Sequence, residues 1–271
     1  MSLSPHASFS WRRVGALAMR HFYLLRRSPI RIIELFYWPF MNMIVWGFIT
    51  VYLRSATFGM TQAAGLFLGG VILWEVLIRA HLGVMLSFIE ELYSRNLGHL
   101  FVSPLRPWEA IAACMVVSFL RAVVGILPAA LLMAPLFGYS IFSMGLPLAA
   151  FYILLSLFGF GFGTAIIGIL IRWGLSAEGF AWASLFVFMP VAGVYYPISA
   201  LPAWLQPVSW SLPTAYVFEG MRALVLTGIV RFDYMAMALG LDIVILVLGF
   251  ALFMWMFHIA RVRGLLLNAG Q

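Results

Sequence analysis

Runs of about twenty apolar residues recur from residue 31 to residue 260, each long enough to cross a hydrocarbon core roughly 30 Å thick as a helix. This repetition narrows the fold more than any motif does, because backbone polar groups inside lipid must be satisfied within the segment itself. Of the 271 residues, 64% are hydrophobic and only 9% charged. Soluble domains carry about 25% charged residues. The expected fold is therefore an all-α polytopic membrane protein. Six transmembrane helices are predicted, at about 31–53, 63–89, 109–133, 145–171, 179–196 and 234–260. Residues 1–29 form an N-terminal tail and amphipathic interfacial helix, and 30–271 the six-helix transmembrane domain.

All sixteen basic residues are arginine, and the chain has no lysine. A phosphate-binding loop of the P-loop type needs its Lys, so this chain does not hydrolyse nucleotide by that route. The single cysteine, Cys114, excludes an internal disulfide and any metal site built on several thiolates. Residues 1–10 show no basic stretch leading into an apolar one, so no cleavable signal peptide is expected. The net charge of +7 fits anchoring against anionic lipid. With both termini in the cytoplasm, eleven arginines fall on the inner side and three (Arg54, Arg222, Arg231) on the outer. That bias is the expected positive-inside pattern of the cytoplasmic membrane.

Between residues 9 and 27, Trp11, Val14, Ala18, Phe22 and Leu25 recur at helical spacing, with Arg13, Arg20 and Arg27 on the other side. This predicts a helix lying in the membrane surface. A charged flank of the first span is the simpler alternative. Ser28-Pro29 then reads as a cap and first helical residue.

Inside the second span, Glu75 and Arg79 stand four apart in the favourable order for an intrahelical pair. Ionisable groups at membrane depth are functional candidates. They also serve as purely structural ion pairs inside bundles. Arg121, midway along span three, needs a partner or water, with Glu75 one possible acceptor; Asp242 lies in span six. Because Glu75 lies deeper than Glu109, it is expected to matter more. Gly159 and Gly163 stand at the spacing that lets helices pack closely, a better reading of GFGFG than a phosphate loop. Span five is rich in aromatics, including Phe180, Phe186, Tyr195 and Tyr196. Lipid-facing packing or a greasy path both account for them. With Asn42, Glu75 and Arg79, they are the candidate lining of such a path.

Residues 197–228 are too broken to span and too greasy to float free. Pro197, Pro202, Pro207 and Pro213 interrupt any helix, while Trp204, Trp210 and Tyr216 keep the segment apolar. Short re-entrant helices dipping into the outer leaflet satisfy both facts. Glu219 and Arg222 are an i,i+3 pair near their end.

The longest polar interval between spans is EELYSRNLGHLFVSPLRPW, residues 90–108. It offers Glu90, Glu91, Arg95, Asn96 and His99 for contacts and Leu92, Leu97, Leu100 and Phe101 as a buried edge. Pro104 and Pro107 turn the chain back. A short helix at about 90–103 is predicted; an ordinary connecting loop is the alternative.

This interval resembles the membrane subunits of the ABC type-2 transporter permease family, through Glu91, Arg95, Gly98 with Leu100, Ser103-Pro104 and Pro107 with Glu109. The later Tyr196-Pro197, Leu201-Pro202, Pro213, Glu219 and Arg222 are similar to that family's outer re-entrant segment. His99 departs from the small hydroxyl residue often found there. The resemblance covers essentially the whole chain. It implies an exporter permease that works as a homodimer, or beside a similar subunit, with two separate ATPase subunits. Those partners bind ATP and Mg, and no cofactor is bound by this chain itself. They push on a coupling helix formed by Glu90, Glu91, Arg95, Asn96, Gly98, His99, Leu100, Phe101 and Pro104. Pro197, Pro202, Trp204, Pro213, Glu219 and Arg222 form the exit gate. The implied substrate is hydrophobic or amphipathic, such as a drug-like compound or a lipid-linked or polymeric saccharide.

Two other classes remain open from the residues. An ion-coupled secondary transporter would relay charge through Glu75, Arg79, Arg121 and Asp242. A membrane-embedded enzyme would need a base near Ser87, Ser118 or Ser156, and no such base is evident.

Overall fold

The computed structural model describes residues 9–56, 61–94 and 105–264. Every regular element among them is helical. Helix α1 (Trp11–Arg26) is followed by α2 (Pro29–Ala56), α3 (Thr61–Tyr93), α4 (Pro107–Phe137) and α5 (Leu146–Trp173). Then come α6 (Glu178–Ser184), α7 (Gln206–Trp210), α8 (Pro213–Thr227) and α9 (Phe232–Val262). Five of these, α2, α3, α4, α5 and α9, are long and apolar enough to cross a membrane.

Their boundaries follow local chemistry. Pro29, Pro107 and Pro213 each open a helix, where a missing N–H is harmless. Gly138 and Gly228 close α4 and α8 in the left-handed conformation, φ 70° and 71°, each donating its N–H back to a residue four earlier.

The centre of the bundle is α3 packed against α5. In the most apolar window of each, 72% of residues are buried, against 22% for α2 and α9, so the latter two are peripheral. The GFGFG run sets these contacts on both sides of α5. A Cβ at Gly159 would lie 2.9 Å from the backbone nitrogen of His81, and one at Gly163 3.0 Å from its oxygen. A Cβ at Gly161 would lie 2.9 Å from the backbone nitrogen of Leu246 on α9. Close packing is thus the role of all three glycines.

The stretch expected as the fifth span differs from a regular helix. After the seven residues of α6, residues 185–196 wind through turns. Phe188, Met189 and Val191 donate to carbonyls three residues earlier, the tighter 3₁₀-type pattern. Pro190 explains the break: it supplies no N–H and disfavours an α conformation at Met189. The segment still runs antiparallel along α3. The Tyr93 hydroxyl bonds Glu178, Ser184 Oγ lies 3.5 Å from His81 Nε2, and Val194 O faces Gly70.

Candidate functional site

Residues 95–104 of the polar interval lie outside the described residues, so Arg95, Asn96, Gly98, His99, Leu100, Phe101 and Pro104 are not placed. Their two stems are. The last turn of α3 carries Glu90 and Glu91, and the first turn of α4 carries Glu109. Helix α1 bridges both stems. Arg13 donates Nε to Glu109 Oε2 at 2.8 Å and Nη2 to Oε1 at 2.6 Å, a bidentate pair. The Glu109 carboxylate also accepts the backbone N–H of Ser10 at 2.9 Å and of Arg106 at 3.1 Å. Hydrogen bonding to that carboxylate holds the Arg13 guanidinium above its ordinary pKa. Seven residues on, Arg20 reaches Glu91 at 2.9 Å, and His21 Nε2 lies 3.8 Å from the same carboxylate.

The face that α1 buries is Val14, Leu17 and His21, with Val14 and Leu17 packed on Ala110 and Ala113. Trp11 and Phe22, expected on the apolar stripe of a membrane-surface helix, point away from the rest of the protein. Arg13 and Arg20 are docked against the stems, and Arg27 stays exposed. Glu91, expected as a contact for a partner, is buried inside the chain. Depth alone does not rank Glu75 above Glu109, because both are buried.

Between α2, α3, α4 and the irregular 178–196 segment lies a cavity of about 560 Å³. Its middle holds Glu75, which accepts from Asn42 Nδ2 at 2.5 Å and lies 3.6 Å from Arg79 Nε. Toward the stems, Arg31 and Glu90 pair at 3.0 Å, with Glu34 and Arg121 also lining the wall. At the other end, Trp46 stacks on Tyr195, ring centroids 4.4 Å apart and 15° from parallel. Trp38, Trp74, Trp182 and Phe186 complete the aromatic surface. The structure therefore brings Asn42, Glu75, Arg79, Phe186 and Tyr195 together. Phe180 and Tyr196 do not line the cavity, and Phe180 faces outward.

Arg121 does not pair with Glu75, the acceptor considered for it. Helices α2 and α4 run parallel, with Gly125 against Leu35 and Phe137 against Phe48. Four residues back from the first contact, Arg121 is level with Arg31, nearer the stems than Glu75. Sequence reasoning missed this residue's place, along with Arg31, Glu34 and four tryptophans. A one-helix pattern carries no signal for a wall shared by four segments.

At the opposite end of the bundle, Glu219 and Arg222 do pair, at 3.2 Å. Glu219 Oε1 also accepts the N–H of Ile198 at 2.8 Å, and Arg222 Nη2 donates to Gly193 O at 2.6 Å. One ion pair thus ties α8 to the end of the irregular segment and to the 3₁₀ turn after Pro197. Pro213 opens α8, while Trp204 is 75% exposed between Pro202 and α7.

Ser87, Ser118 and Ser156 spend their hydroxyls on helix carbonyls. Asp242 is buried on α9 and lies outside the cavity lining, so it does not join Glu75, Arg79 and Arg121. Among the described residues, no cluster of three or more His, Cys, Asp or Glu suits a metal ion.

The family model for the ABC-2 type transporter matches residues 12–226, from α1 to the end of α8. No individual curated protein matches the chain.

Proposed function

The chain belongs to the ABC-2 type transporter family, and from that premise we propose that it is the permease subunit of an ATP-driven exporter in the cytoplasmic membrane. Two separate ATPase subunits supply the energy and bind ATP and Mg, and a second copy of the chain or a similar permease completes the membrane part. Both termini and the 90–108 interval face the cytoplasm, as the arginine distribution supports. Residues 179–196, most of α6 and the turns after it, then make the fifth of six crossings. The substrate is hydrophobic or amphipathic, and it moves along the cavity between α2, α3, α4 and that crossing.

One observation carries this reading. Helix α3 is both the cavity wall, through Glu75 and Arg79, and the bearer of Glu90 and Glu91, which are held by α2 and α1. A push delivered to the stems is therefore delivered to the wall. The arrangement favours this over an ion-coupled relay, because Asp242 stands apart from the other three charges.

Reconstitution of the permease in vesicles with its ATPase tests the proposal. Transport is expected only with both subunits and hydrolysable ATP. Single-cysteine labelling adds a topological check, because native Cys114 is buried. A His99→Cys variant should react with an impermeant maleimide from the cytoplasmic side only. Full transport by the chain alone, or labelling from the outside, refutes the assignment.

A further inference from the structure

The charges around the cavity do not all find partners. Glu75 holds Asn42 and Arg79, and Glu90 holds Arg31. Arg121 is a third cation in the same wall. Among the described residues, its Nε and Nη2 are buried with no hydrogen-bond partner. All nine Asp and Glu side chains are among the described residues, and none lies within the 4.0 Å of a salt bridge to Arg121. A guanidinium in the wall of a partly apolar cavity with no carboxylate partner of its own is a strong site for a carboxylate or phosphate, which it meets as a planar fork.

We propose that the cavity binds an amphipath with one anionic head, a phosphate or carboxylate, seated on Arg121. Its apolar body extends along Trp74 toward the stacked Trp46 and Tyr195. This rests on the reading of the cavity as the substrate path and names the class of molecule that path accepts. The volume of about 560 Å³ suits one drug-sized or single-chain molecule. The polarity of the wall also fixes direction. The charged groups Arg31, Glu90 and Arg121 stand toward the stems, and the aromatic pair at the other end. A ligand held this way keeps its head toward the stems and its apolar body toward the opposite end.

The test uses the purified full-length subunit in maltoside micelles, with no ATPase present. Quenching of tryptophan fluorescence by 12-bromododecyl phosphate is compared with that by 12-bromododecyl trimethylammonium. Saturable quenching by the phosphate probe at a tenfold or lower concentration is expected. Arg121→Gln should abolish that preference, and Arg121→Lys should keep part of it. Equal binding of the two probes by the wild type overturns the proposal, as does an unchanged preference in Arg121→Gln. Should Arg121→Gln fail to fold, the wild-type probe pair and Arg121→Lys decide. Displacement of the probe by millimolar inorganic phosphate overturns the requirement for an apolar body. In nanodiscs, weaker probe binding with phosphatidylglycerol than with phosphatidylcholine supports the anionic site with bilayer lipid as its source. Equal binding supports it with a soluble amphipath as source. Because no ATP is used, failure here leaves the exporter assignment standing with another substrate, and failure of ATP-driven transport leaves this binding result standing.

Discussion

Replacing Gly161 by alanine tests the packing that positions α5 against α9. A Cβ there would meet three backbone atoms of α9: Leu246 N at 2.9 Å, Leu246 Cα at 3.0 Å and Ile245 C at 3.1 Å. Ordinary contact needs several tenths of an ångström more, and no rotamer change supplies it. The two helices must separate instead, loosening the contacts on either side. Overpacking a close-fitted core costs about 1–3 kcal/mol, and the backbone partners place this site in the upper half, about 2–3 kcal/mol. Alanine returns up to about 1 kcal/mol through its better helix propensity. The net expectation is a loss of about 1–3 kcal/mol. Gly240, on α9 itself, has nothing within 4 Å of its would-be Cβ and provides the control. Gly240→Ala should be neutral or stabilising by up to about 1 kcal/mol. Reversible unfolding of the purified proteins in mixed micelles titrated with SDS measures both. If Gly161→Ala is no less stable than Gly240→Ala, the tight α5–α9 contact is refuted.

Two more perturbations address the ends of the bundle. Glu109→Arg should abolish ATP-driven transport while leaving membrane insertion intact, and the double change Arg13→Glu with Glu109→Arg should recover part of it; no recovery in the vesicle assay argues against the α1 clamp. Glu219→Gln should destabilise the subunit by about 3 kcal/mol, since removing one member of a mostly buried pair strands the other. An added Ile198→Cys, buried in the native fold, should then react faster with maleimide, and an unchanged rate would mean that other contacts hold the segment.

The long spans, the proline-broken segment and the Glu75–Arg79 and Glu219–Arg222 pairs were legible in the sequence. Each depends on local periodicity or on residues three or four apart. Arg13 and Glu109 are 96 positions apart, and no repeat within a helix connects them. The hydrophobic stripe of α1 did not show which of its apolar residues meet the protein, for a related reason. A surface helix next to lipid has two apolar surroundings, and composition does not say which one a given residue meets. Span five was read as regular because its hydropathy is high, whereas Pro190 decides its winding. Arg121 was visible as a cation needing an acceptor, but its level in the bundle depends on how α2 and α4 are set against each other.

The waist of α3 has a mechanical consequence. It is gripped near Ala80 and His81, where Gly159 and Gly163 press from one side and Ser118 bonds the carbonyls of Arg79 and Ala80 from the other. From there to Glu91 is roughly 15 Å of helix, and to Gly70 roughly 16 Å. A rod held at its midpoint behaves as a see-saw with arms of nearly equal length. A tilt of about 5° shifts each tip by only about 1.3 Å, in opposite senses. Inward travel at the tip that carries Glu90 and Glu91 is thus returned as outward travel of similar size beside Val194, neither amplified nor damped.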